Sequence, residues 1–162
     1  SAPQLPNQFV EFYNIVYPKC LENTFWKRIY RNFTNFYPLR DTLPSQTVAN
    51  ISVSPFLRYN YGKRYNIIFL IRFIEQNTTQ KECLNYQFQE MDFLNNLGGI
   101  EALSHNLFKK SVKDLQPIEM AEIVAISENP TRNNRYRNPE NTKNRTNVFL
   151  ERYNDYLKGN IK

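Results

Sequence analysis

The chain has 162 residues, a formal net charge of +6 and a pI near 9.3. Its length predicts one domain with a sizeable core, and 41% apolar and 15% aromatic content excludes a disordered chain. The charge favours anionic partners, whether phosphates, acidic lipid headgroups or nucleic acid, without choosing among them.

The opening SAPQLP lacks the charged and apolar regions of a signal peptide, and no apolar run approaches the roughly 18 residues of a membrane span. An anchor before Ser1 is left open. NQFVEFYNIVY places apolar residues at helical spacing and predicts a helix ended by Pro18. ENTFWKRIYRNFTNFY predicts a second helix stopped by Pro38. Its aromatics Phe25, Trp26, Tyr30, Phe33, Phe36 and Tyr37 come at near-helical spacing and read as core packing. LPSQTVANISVSPFL reads equally as loop or helix.

KRYNIIFLIRFIEQN is apolar almost all round from Ile67 to Ile74, which predicts a long helix buried at the centre. TTQKECLNYQFQ predicts a helix with Thr79 as N-cap and Glu82 completing a capping box. Gly98 and Gly99 break the chain before the helical IEALSHNLFKK, and Gly99 is expected at positive φ or in close backbone packing. In KDLQPIEMAEIVAISEN, Asp114 caps a short turn, Pro117 sits at a first helical position and Pro130 ends the helix. TRNNRYRNPENTK is a polar basic loop, and Arg132, Arg135 and Arg137 with Tyr136 read as solvated or as a phosphate contact. The last helix runs through NPENTKNRTNVFLERYNDYLK, with Gly159 just past its end. No internal repeat and no alternating strand pattern is visible.

Cys20 and Cys83 read as buried thiols, or as one disulfide in an oxidising compartment. The one histidine, His105, lies mid-helix beside Leu103 and Leu107, where a structural or surface role outweighs a catalytic triad. No spacing of Cys, His and carboxylates suits a metal, and no cofactor is expected.

Three stretches in order carry a resemblance. They are FLNNLGGIEALSHNLFKK from Phe93, DLQPIEMAEIVA from Asp114, and NPENTKNR ending at Arg145, with Pro130 between the last two. They resemble F-G-x-G-x-x-G-I-E-x-A-x-x-x-F-G-K, D-L-x-x-x-E-x-A-x-L-A and N-P-E-x-x-x-x-R of the peptidoglycan glycosyltransferase domain, glycosyltransferase family 51. That domain polymerises lipid II in class A penicillin-binding proteins and monofunctional murein transglycosylases. The spacing matches without gaps over residues 63–157. The resemblance implies a mostly α, lysozyme-like single domain over residues 1–162, with a reduced or altered jaw region. It also implies a structural role for Glu119 and Arg145, read as a buried pair.

Over residues 17–67 the family's motifs are degenerate. Counted from LPNQF at Leu5, the Glu-Asp of the family's E-D-x-x-F falls on Tyr17 and Pro18. A phenol titrates near 10, so neither residue replaces a carboxylate base. Of G-G-S-T-x-x-Q-Q-x-x-K-N only Thr47 survives in PSQTVANISVSP, with Ser54 at the lysine position. R-K-x-x-E becomes KRYNI, which keeps Lys63 and Arg64 but puts Ile67 at the glutamate; Y-L-N becomes Gln87 to Gln89.

The resemblance therefore implies no catalytic residue at the family positions, and Lys63, Arg64 and Thr47 as retained ligand contacts. Loss of one general acid or base costs on the order of 10² to 10⁴ in rate. The expectation is a pseudoenzyme at the periplasmic or extracytoplasmic face of the cell envelope, close to the membrane, with anchoring by a segment outside this sequence left open. The resemblance also implies a sugar-stacking or membrane-facing surface as the alternative reading of the aromatics from Phe25 to Tyr37. It would bind a protein partner, glycan strands or lipid II. The alternative is an active lipid II polymerase with displaced carboxylates, Glu22 serving as base with Phe25 three residues on. A nucleic-acid binder is disfavoured by the ordered motif series.

Overall fold

The computed structural model describes residues 4–22, 24–27, 30, 42–62, 64–93 and 97–159. The fold is mostly α, and the described residues form no strand; one isolated bridge joins Asp92 and Gly98. The chain divides into two units, residues 1–18 with 88–162 and residues 19–87.

The first unit holds α1 (Asn7–Val16), α6 (Ile100–Phe108), α7 (Pro117–Glu128) and α8 (Pro139–Leu157). Helix α7 is its centre: Met120, Ala121 and the run Ile123 to Ser127 are buried on every face. Pro117 opens it, and Gln116 is its N-cap. Aromatic edges build the core beside it, with Phe9 and Phe88 rings 5.0 Å apart and Phe12 and Tyr153 5.1 Å apart. Arg152 donates to the Val16 carbonyl at 2.9 Å, a cation on the last carbonyls of α1.

Gly99 has φ +80 and is the N-cap of α6. A Cβ there would lie 2.8 Å from the Gln89 carbonyl oxygen, so both the dihedral and the close approach require glycine. Asp114 closes the short turn Val112–Asp114, and Ser111 precedes it as N-cap, so the expected Asp114 cap does not form. Gly159 has φ +74 after α8.

The second unit holds α2 (Pro44–Val48), α3 (Ser54–Tyr61), α4 (Ile67–Asn77) and the start of α5 (Gln80–Glu90). The ambiguous stretch from Leu43 is thus helical, with a wider turn over Ala49–Val53 in which the Ser54 N–H reaches the Ala49 carbonyl. The Thr79–Glu82 capping box forms: Glu82 accepts from the Thr79 N–H at 2.7 Å, and its own N–H donates to the Thr79 hydroxyl at 3.2 Å. Val48, Ala49, Leu70, Ile71, Ile74 and Cys83 make the core. Cys20 and Cys83 are buried free thiols.

The central buried helix expected at Ile67–Ile74 is not found. Only Leu70, Ile71 and Ile74 of α4 are buried, while Phe69 is 70% and Phe73 63% exposed. An apolar residue on the outer face reads the same in sequence as one in a core. Trp26 and Tyr30 are also exposed, against a core role for them, and Phe33, Phe36 and Tyr37 lie outside the described residues. No described helix is long and apolar enough to cross a membrane.

Candidate functional site

Tyr17 follows the last residue of α1, and α1 delivers it into the first unit's core. Its ring stands 4.8 Å from Tyr13 and 5.3 Å from Phe149. Its hydroxyl donates to Glu128 Oε1 at 2.6 Å. Glu128 ends α7, where a carboxylate faces the negative end of the helix dipole and needs a cation. Arg145 supplies it from α8: Nε and Nη2 donate to the two carboxylate oxygens at 2.5 Å each. The Arg145 guanidinium also lies over the Phe149 ring, 4.4 Å from its centre.

Burial pushes the Tyr17 phenol far above its usual pKa, with neighbouring Tyr13 and Glu128 adding to the shift. At neutral pH Tyr17 is therefore a donor with no capacity to take a proton. Glu128 thus accepts from both Tyr17 and Arg145. Pro18, which the motif count pairs with Tyr17, is exposed.

The remaining assigned positions lie in the second unit. Ile67 opens α4 and packs against the core cluster around Val48 and Ile71. Thr47 is on α2, partly buried, with its hydroxyl 3.4 Å from the Leu43 carbonyl. Arg64 is exposed, and Lys63 lies outside the described residues. Glu22 is exposed in a turn closed by its N–H to the Lys19 carbonyl at 3.3 Å.

Two acidic clusters were not anticipated. Glu75 accepts from the Phe25 N–H at 3.0 Å, the Ser45 hydroxyl at 2.8 Å and the Gln80 amide at 2.8 Å. Ser45 and Gln80, both buried, also bond each other. The signal was available: Glu75 sits four residues after Ile71, on the buried stripe of α4. The second cluster corrects the expected Glu119–Arg145 pair. Glu119 instead binds Lys110 at 2.8 Å and the Gln116 N–H at 2.7 Å, while Arg145 takes Glu128. Helices α7 and α8 run as a hairpin, so Arg145, near the start of α8, meets the end of α7 rather than its first turn.

His105 is exposed and 3.3 Å from Glu101, a surface pair. In the basic loop Arg135 is not a free cation, because it binds both oxygens of Glu122 at 2.6 Å and stacks on Phe108.

The sequence profile of the family described as Transglycosylase matches residues 41–154. The chain belongs to this transglycosylase family. It is similar to penicillin-binding protein 1A of Pseudomonas aeruginosa, 33% identical over 93 residues, which cover 57% of this chain and 11% of that protein. It is also similar to penicillin-binding protein 1F of Bacillus subtilis, 30% identical over 117 residues, 70% of this chain and 16% of that protein. The chain thus spans only a small part of the length of the relatives it matches.

Proposed function

We propose that this chain is a single peptidoglycan glycosyltransferase-like domain that does not polymerise glycan. It acts instead as a non-catalytic binding module at the extracytoplasmic face of the cell envelope, for glycan strands or an envelope protein. The observation that carries this reading is Tyr17. At the position that the motif count from Leu5 gives to the catalytic base stands a buried, neutral phenol that donates to Glu128. Ile67, at the second carboxylate position, supports it by packing into an apolar cluster.

Arg64 and Lys63 are the proposed contacts for anionic groups of a glycan or lipid diphosphate, with Thr47, from the preceding motif, as a third. Membrane proximity is supported by the exposed aromatics of the second unit. Phe69 and Phe73 on α4 and Phe56 and Tyr59 on α3 are open to solvent, as are Arg58 and Arg72. Aromatics among arginines suit the headgroup region of an anionic bilayer.

Co-sedimentation with purified peptidoglycan sacculi and with anionic lipid vesicles tests the binding role. Retention on sacculi that weakens as salt rises supports it, because exposed cations would carry the contact. No retention on sacculi or vesicles at low salt contradicts the glycan and membrane contacts.

A further inference from the structure

A pocket of about 430 Å³ lies wholly within the first unit, between the end of α7, the turn that follows it and the first half of α8. None of its lining residues is a position to which the family alignment gives chemistry on the substrate, and the inference does not rest on the proposed function. Four asparagines line it. Asn133 is buried, and its Nδ2 donates to the Ala125 carbonyl at 2.7 Å, which fixes the amide. Asn129 uses its Oδ1 on the Arg132 N–H at 2.9 Å and keeps its amide hydrogens. Asn141 and Asn144 stand one helical turn apart on α8 and are exposed.

The charge of the lining is simple. Glu128 and Arg145 cancel each other in their two-point pair. Arg132 is exposed, and no carboxylate among the described residues pairs with it. The pocket therefore carries one uncompensated positive charge, several amides and one apolar side chain, Val148. An amide both donates and accepts, which matches hydroxyl groups, and a guanidinium fork matches a carboxylate or phosphate.

We propose that this pocket binds an anionic monosaccharide, a sugar acid or a sugar phosphate, with Arg132 on the anionic group and the asparagine amides on the hydroxyls. The volume fits one such ring with its water. Isothermal titration of the chain with glucuronate, glucose 6-phosphate, glucose, acetate and inorganic phosphate tests it. At least one anionic sugar should bind about ten-fold more tightly than glucose and than either simple ion. Preference for glucuronate assigns a carboxylate, and preference for glucose 6-phosphate a phosphate. Arg132→Gln should weaken that binding about ten-fold and Asn144→Leu about three-fold, while Arg137→Gln, an exposed cation outside the pocket, leaves it unchanged. All three variants change exposed side chains and should fold. The proposal is overturned if neither anionic sugar binds up to about 10 mM, if acetate or phosphate binds as well as the sugars, or if Arg137→Gln weakens binding as much as Arg132→Gln.

Discussion

The Tyr17 hydroxyl donates to Glu128 at 2.6 Å, and Arg145 grips both oxygens of the same carboxylate. The phenol thus shares an acceptor with a guanidinium inside a ring of aromatics. A carboxylate in place of Tyr17 would face Glu128 as a like charge in a buried setting. Tyr17→Glu should therefore destabilise by about 3 kcal/mol or more, through repulsion and desolvation. A chemical melt in which Tyr17→Glu is as stable as wild type would show that the site tolerates an acid.

Removal of the hydroxyl alone is milder. Tyr17→Phe should cost about 1 kcal/mol at neutral pH, because Glu128 keeps Arg145. The pH dependence follows from the raised phenol pKa. Its contribution is fully present below the ordinary phenol value near 10 and drains as pH rises beyond it, since the unfolded chain then loses a proton the folded chain keeps. Melting temperature measured from pH 8 to 11 should fall less steeply for Tyr17→Phe than for wild type. Parallel curves would contradict the burial of a neutral Tyr17.

Glu75 is the acceptor on which a small network closes. Glu75→Ala leaves the Ser45 hydroxyl and the Gln80 amide competing for partners in a buried site, together with the Phe25 N–H. The expected loss is about 2–3 kcal/mol in urea unfolding. Glu75→Gln keeps an acceptor and should lose less. Equal losses for the two would show that the charge, rather than the acceptor, matters.

Gly99 and Gly62 make a controlled pair, with φ +80 and +62. A Cβ at Gly99 meets the Gln89 carbonyl at 2.8 Å, whereas at Gly62 nothing lies within 4 Å. Gly62→Ala should cost about 1 kcal/mol from the dihedral alone, and Gly99→Ala roughly 2–3 kcal/mol from dihedral and clash together. Equal melting temperatures for the two variants would remove the close approach from the account.

At Glu119 burial raises the carboxyl pKa, but the Gln116 N–H and Lys110 outweigh it and hold the carboxyl below the ordinary range. The stability it contributes is present above the unfolded carboxylate value near 4.3 and is lost as pH falls through the folded value. Thermal melts between pH 7 and 3 should show a shallower acid limb for Glu119→Gln than for wild type. An unchanged limb would exclude this pair from acid sensitivity.

Helix limits were legible in the sequence where local chemistry sets them. Thr79 with Glu82, Pro117 and Gly99 mark boundaries that neighbouring backbone alone enforces. Burial was not legible in the same way. Helix α4 has the more continuous apolar run, yet α7 is the buried helix, because burial depends on what the rest of the unit can cover. The site was half legible. The motif count assigns Tyr17 and Ile67 to carboxylate positions of the family, but only the hairpin of α7 and α8 reveals that Glu128, not Glu119, meets Arg145.

The central claim is that no group at the base position can take a proton from a sugar hydroxyl. Incubation of the purified chain with labelled lipid II, beside an active penicillin-binding protein as positive control, tests it most directly. The account predicts no glycan polymer, at a detection limit about 10⁴-fold below the control rate, the span expected for loss of a general base. Polymer formed by the wild-type chain and abolished by Glu22→Gln would contradict it, and would place the base in the exposed turn after Lys19.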